Sequence, residues 1–168
     1  MRWMPLLLIL IVTFLSTIYI FDTVKDFNRR RISITSLAYL TFLGMILFTP
    51  LSFDGTSVYL MPSGTGSVNL HQLNIDLGFY ENIILTIPLG FLFKRAFSKI
   101  SVVSMIPLGL MTGAAIETLQ YYLSHTFFIN RTSDINDVIA NGIGIVIGAG
   151  LMVVYQYVVN KRLFSKSI

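Results

Sequence analysis

Glu117 lies within a long apolar stretch of the chain, where a carboxylate has little water to meet. A charge at the centre of a membrane helix costs roughly 2.5–3.5 kcal/mol, so this group must be protonated, wetted or paired. It has company at helical spacing. Gly109, Gly113, Glu117 and Gln120 fall at i, i+4, i+8 and i+11, one face of an α-helix. In a later apolar stretch Asp137, Asn141, Gly144 and Gly148 fall at i, i+4, i+7 and i+11, again one face. Arg131 and Asp134 stand between the two stretches, and Glu81 and Asn82 open an earlier one. Two kinds of chemistry suit such a set. Glu117 or Asp137 is a general-base candidate, since partial burial tunes a carboxylate toward neutral pH. Arg131, Asn82, Gln120 and Asn141 are donors for a polar headgroup, and an Arg–carboxylate pair can be bidentate. Simpler roles compete. Gln120 and Glu117 can act as interhelical hydrogen bonds of roughly 0.6 kcal/mol each, and Asp134 or Asp137 can cap a helix start.

The elements that carry these residues follow from composition. Of 168 residues 54% are hydrophobic and 12% charged, and the mean hydropathy is +0.74. Soluble domains carry roughly 25% charged residues, so most of this surface must face lipid or itself. The expectation is one all-α, polytopic membrane domain over 1–168, with helices over about 4–21, 32–50, 79–93, 101–123 and 137–159. The first segment resembles a signal peptide in place only; its apolar run is long and no small-x-small site follows, so it reads as a retained helix. The third is the shortest. Pro88 within it and Pro107 within the fourth are candidate kinks. Gly109–Gly113 and Gly144–Gly148 are GxxxG pairs that let helix backbones approach closely. There is no cysteine, hence no disulfide or thiol chemistry.

Ten of the twelve Lys and Arg residues fall in the linkers after the first and third helices and in the C-terminal tail. The positive-inside bias then places the C-terminus in the cytoplasm and, with five helices, the N-terminus outside. The linker 51–78 lies outside, a Gly- and Ser-rich loop in which Ser57–Met61 either pairs as a short strand or lies in the interface with Tyr59 at headgroup depth. With the fourth and fifth helices antiparallel, glycine is expected to meet glycine. Glu117, Gln120, Asp137 and Asn141 then share one outward-facing polar cluster with Asn82, Arg131 and Asp134, and Arg131 is the natural partner of Glu117. Ile87-Pro88-Leu89-Gly90 recurs as Ile106-Pro107-Leu108-Gly109, a weak trace of an inverted repeat that a shared need for a kink explains as well.

The stretch Asn82-Ile-Ile-Leu-Thr-Ile-Pro88-Leu-Gly90, the pair Glu117-Thr-Leu-Gln120, and the block from Arg131 through Asp134, Asp137, Asn141 and Gly144 to Gly148 together resemble the VanZ-like family of bacterial membrane proteins. The resemblance spans about Val68 to Leu151 and includes Val68-Asn69-Leu70 ahead of the third helix. The chain departs from the family's pattern at His71-Gln72-Leu73, and at Asn136, where the family often has Asp. Membership implies a multi-pass protein of the bacterial cell membrane. It also implies a link to low-level resistance against glycopeptides of the teicoplanin type, which act on wall precursors at the outer surface.

The leading functional expectation is a protein that binds or shields an outer-leaflet lipid or lipid-linked wall component. A membrane enzyme with Glu117 or Asp137 as acid/base stands second, with no nucleophile–His–acid set and no zinc motif to favour it. A small transporter or flippase, which would need a homo-oligomer, stands third. No cofactor is expected. The carboxylates could take a hard cation, yet no ligand spacing points to a metal site. His71 is a lone loop histidine. Arg29-Arg30-Arg31 reads as topology and contact with anionic headgroups, and nucleic-acid binding is not expected.

Overall fold

The computed structural model describes residues 1–53 and 56–165, with side chains as far as Val159. Gly55 and Lys166 lie outside the described residues, as do the side chains of Lys161 and Arg162. Five helices run in chain order: α1 (Met4–Thr23), α2 (Phe27–Phe48), α3 (Leu77–Ala96), α4 (Met105–Phe127) and α5 (Ile135–Ser165). Four of them, α1, α2, α3 and the Ile135–Val159 part of α5, are long and apolar enough to cross a membrane. α4 has the length, 23 residues, but its face of Gly109, Thr112, Gly113, Glu117 and Gln120 keeps it out of that group.

The third helix is longer than expected. Its 20 residues begin at Leu77, because Asp76 accepts the Phe79 N–H at 3.0 Å and caps the start; at 1.5 Å per residue that is roughly 30 Å. α2 likewise begins five residues early. Asp26 accepts the Arg29 N–H at 2.7 Å, so Arg29, Arg30 and Arg31 ride in the first turns of the helix rather than in a linker. α4 begins at Met105, not Ser101, after a turn in which Ser101 Oγ accepts the Ser104 N–H. Pro107 therefore sits in the first turn, where its missing N–H costs no intrahelical bond, and it is not a kink. Pro88 is interior to α3. The two Ile-Pro-Leu-Gly segments thus occupy unlike positions, which removes the repeat as a sign of inverted symmetry.

Short strands accompany the helices. β1 (Leu51–Phe53) and β2 (Val58–Leu60) pair antiparallel, with Ser52 opposite Tyr59. β3 (Val68–Asn69) and β4 (Ser133–Asp134) pair in parallel. The described residues form two compact units. The first comprises the described residues of Met1–Leu70 and Ile116–Asp134; the second comprises His71–Ala115 and the described residues from Ile135 onward.

In the first unit α1 packs on α2, with a 2.8 Å hydrogen bond between the Thr13 and Thr41 hydroxyls. Most other α1 side chains are exposed, as suits a helix facing lipid. The start of α1 is tied to the loop after α2, since Arg2 donates to the Met61 carbonyl. That loop then runs beside the segment following α4. Gly64 bridges Ile129, Gly66 N–H donates to Asn130 Oδ1 at 3.1 Å, and β3 lies on β4. Gly66 has φ +72° and a Cβ there would strike the Arg131 carbonyl, so only glycine fits.

In the second unit α5 presents two glycine faces. A Cβ on Gly148 would strike the Ile87 carbonyl of α3 and approach the Phe91 amide nitrogen, and one on Gly144 would strike Ile83 and Thr86. Gly90 of α3 abuts the α5 backbone at Ile145. On α4, a Cβ at Gly109 would lie 2.9 Å from the Gly142 carbonyl, and one at Gly113 would lie 2.6 Å from that of Val138. The expectation that the two GxxxG pairs meet each other is corrected here. Gly144 and Gly148 seat α3, while Gly109 and Gly113 seat against Val138 and Gly142. Residues 142 and 144 differ by about 200° around a helix of 3.6 residues per turn, so one face cannot serve both neighbours.

Candidate functional site

The polar residues singled out above fall in both units. Glu117, Gln120, Arg131 and Asp134 belong to the first; Asn82, Asp137 and Asn141 belong to the second.

In the first unit the focus is the end of α2. The last four carbonyls of any helix lack intrahelical donors, and in a membrane each unmet group costs several kcal/mol. α2 has no basic residue in its last turn. Its donors come from elsewhere. Thr49 Oγ1 donates to Met45 O at 2.6 Å, Gln120 Nε2 donates to Leu47 O at 3.0 Å, and the Arg131 guanidinium donates to Ile46 O. Arg131 Nε also reaches Thr49 O at 3.2 Å, and its terminal nitrogens reach Leu51 O and Ser52 Oγ. A cation at a helix C-terminus is further favoured by the helix dipole. Arg131 and Gln120 are thus built into the termination of α2, a role that neither residue's own surroundings in the sequence announce.

Arg131 is itself held. Its N–H donates to Ser124 Oγ at 2.8 Å, and Ser124 is fully buried. Three residues on, the Asp134 N–H donates to Glu117 Oε2 at 2.9 Å, and Ser133 Oγ donates to the Glu117 carbonyl at 2.9 Å. Asn69 Nδ2 lies 3.0 and 3.1 Å from the two carboxylate oxygens of Asp134. Glu117 and Asp134 are therefore brought together, with Glu117 buried. Asn69 joins them from the Val68-Asn69-Leu70 motif. That motif was visible in the sequence, but its parallel pairing with residues 133–134 was not.

In the second unit Thr86, fully buried, donates to Asn82 O at 2.7 Å and lies 3.2 Å from Asn141 O. It sets Asn82 and Asn141 at one level of the α3–α5 pair. Asn136 accepts the Asn74 N–H at 3.0 Å through Oδ1 and donates from Nδ2 to Gln72 O at 2.9 Å. An ionised carboxylate could only accept, so Asn at this position, rather than Asp, is matched to the departing loop His71-Gln72-Leu73. Asp137 stands one turn before Asn141 on α5. Asn141 is 1% exposed, yet neither atom of its side-chain amide has a hydrogen-bond partner among the described residues. Its position lies between the α5 face seated on α3 and the face seated on α4. Buried amides are almost always bonded, which sets this side chain apart from Asn136. Gln120 shows a milder form of the same feature, with Nε2 bonded and Oε1 unpartnered.

At the far end of α3, Lys94 is buried and donates to Ser98 O at 2.7 Å and Ile100 O at 2.5 Å. It closes the helix end as well as adding to the basic count. Among the described residues no group of three or more His, Cys, Asp or Glu could hold a metal ion.

The family model VanZ/LLP1 matches residues 3–159. Comparison with curated proteins and with solved structures finds no significant match. The match is wider than the motif-bearing half of the chain and takes in α1 and α2. That accords with the geometry, since the motif residues Gln120 and Arg131 terminate α2. The chain belongs to the VanZ/LLP1 family.

Proposed function

We propose that this protein is a multi-pass component of a bacterial cell membrane that binds or shields an outer-leaflet lipid or lipid-linked wall component, and thereby confers low-level resistance to teicoplanin-type glycopeptides. In this reading all five helices cross the bilayer, the N-terminus is outside and the C-terminus is cytoplasmic. The uneven distribution of Lys and Arg supports that orientation. The tie between Arg2 and Met61 keeps the start of α1 on the same side as the loop after α2, as two crossings require.

The observation that carries the binding claim is Asn141. A sealed amide with both polar atoms unsatisfied costs about 1–3 kcal/mol per group relative to a bonded one. Natural sequences remove such a penalty easily unless the group serves something outside the fold. Asn141 lies six residues into α5, roughly 9 Å along the helix, a depth at which a headgroup enters from the outer surface. The Asn82 and Asn141 carbonyls share the Thr86 hydroxyl, and Asp137 stands one turn before Asn141 on α5.

The test is lipid co-purification from wild type and from Asn141→Leu, each checked for monodisperse, helical protein. The proposal expects one class of polar or lipid-linked envelope component to be enriched in wild type and depleted in the variant. Identical lipid content in both would refute it.

A further inference from the structure

We propose that the β1–β2 hairpin is an interfacial anchor, whose apolar face lies in the headgroup region of the bilayer on the side of the α1 start. Directly opposed residues of an antiparallel pair project from the same face, and successive residues alternate. The register Leu51↔Leu60, Ser52↔Tyr59, Phe53↔Val58 therefore collects Leu51, Phe53, Val58 and Leu60 on one face and Ser52 with Tyr59 on the other. The first face is bare except at Leu51, which is half-buried. Phe53 is 43% exposed, Val58 62% and Leu60 57%. The second face turns toward Arg131, whose guanidinium reaches Ser52 Oγ.

Three observations select lipid as the occupant of the bare face. The hairpin starts three residues beyond the last residue of α2, and Met61 N–H closes it by donating to Pro50 O at 2.8 Å. Its far strand is bound through Met61 O to Arg2, two residues before α1. The hairpin is thus held between the ends of two helices that are apolar enough to cross a membrane. Tyr59, on the opposite face and 43% exposed, sets an amphipathic aromatic ring at the polar side of the ribbon, a residue type that interfaces favour. Finally, residues 51–78 contain no Lys or Arg, so the attachment does not depend on anionic headgroups. A lone two-stranded ribbon with an uncovered apolar face is marginal in water; in the interface the same face is satisfied. This inference is independent of the ligand proposed for Asn141.

The experiment uses tryptophan reporters at Val58 and Phe53, placed one at a time in a Trp3→Phe background that removes the chain's one native tryptophan. The intact protein is reconstituted into zwitterionic vesicles with phospholipids brominated at successive depths. Both V58W and F53W should show blue-shifted emission and lose most of it to shallow bromines, more than to deep ones. The loss should be the same with anionic lipid added and at high salt. Emission at the wavelength of hydrated tryptophan, open to aqueous iodide and untouched by bromolipid, would overturn the proposal. So would quenching that requires anionic lipid. A blue shift without bromine quenching that disappears on dilution into excess lipid would assign the face to a second copy and would equally overturn it.

Discussion

Asn141 and Asn136 are both buried on α5, five residues apart, and the same substitution should move stability in opposite directions. Leucine matches asparagine in branching and in the number of heavy atoms beyond Cβ, so it changes polarity far more than shape. At Asn136 the swap removes two hydrogen bonds, to Asn74 N–H and Gln72 O, and strands both loop groups. The expected loss is about 1–3 kcal/mol. At Asn141 the swap removes two polar atoms that bond to nothing described, so no partner is stranded and a standing desolvation penalty disappears. The expected gain is about 2 kcal/mol or more for the two groups together, a factor of roughly 30 or more in the unfolding equilibrium. Denaturant titration in mixed micelles, followed by far-UV circular dichroism, reads both. If Asn141→Leu falls as far as Asn136→Leu, the Asn141 amide is bonded inside the fold and the argument that it serves a ligand fails.

Other consequences follow from the same geometry. Gly148→Ala should cost about 1–3 kcal/mol, because its Cβ meets the main chain at Ile87 and Phe91, whereas Gly150→Ala meets nothing within 4 Å and should be neutral or stabilising; thermal melts of the pair check this. Arg131→Met leaves Ile46, Thr49 and Leu51 carbonyls without their donor, and should lower stability by about 3 kcal/mol or more, with protease nicking near residues 49–52 as its local signature. Lys94→Met should cost about 1–3 kcal/mol by stranding the Ser98 and Ile100 carbonyls. Glu117→Gln keeps an acceptor for the Asp134 N–H, so folding should survive; near-complete loss of glycopeptide protection at normal expression would favour acid/base chemistry over binding.

The apolar runs were legible because burial in lipid demands an unbroken stretch of about 20 residues. α1 and α5 begin within two residues of the expected positions. The early starts of α2 and α3 lie outside the apolar runs and are set by the caps Asp26 and Asp76, so apolar length alone does not reveal them. The glycine faces were legible as faces but not as pairings, since GxxxG states that a close approach occurs and not which helix makes it. The roles of Gln120 and Arg131 at the end of α2 were hidden for a different reason. They satisfy carbonyls more than 70 residues away in sequence, and every helix end offers the same carbonyls. Asn136 departs from the family's pattern in the sequence, and the loop it holds through Asn74 N–H and Gln72 O explains the amide. What distinguished Asn141 from Asn136 was nowhere in the local sequence, because it is the absence of a donor or acceptor opposite.

The central claim is that Asn141 serves recognition of an envelope component and not folding. Its most direct test is teicoplanin susceptibility of sensitive cells carrying wild type, Asn141→Leu or no protein, with the two proteins matched in membrane abundance. The account predicts that Asn141→Leu is present, folded and as unprotective as the empty vector. Protection equal to wild type from Asn141→Leu would contradict it.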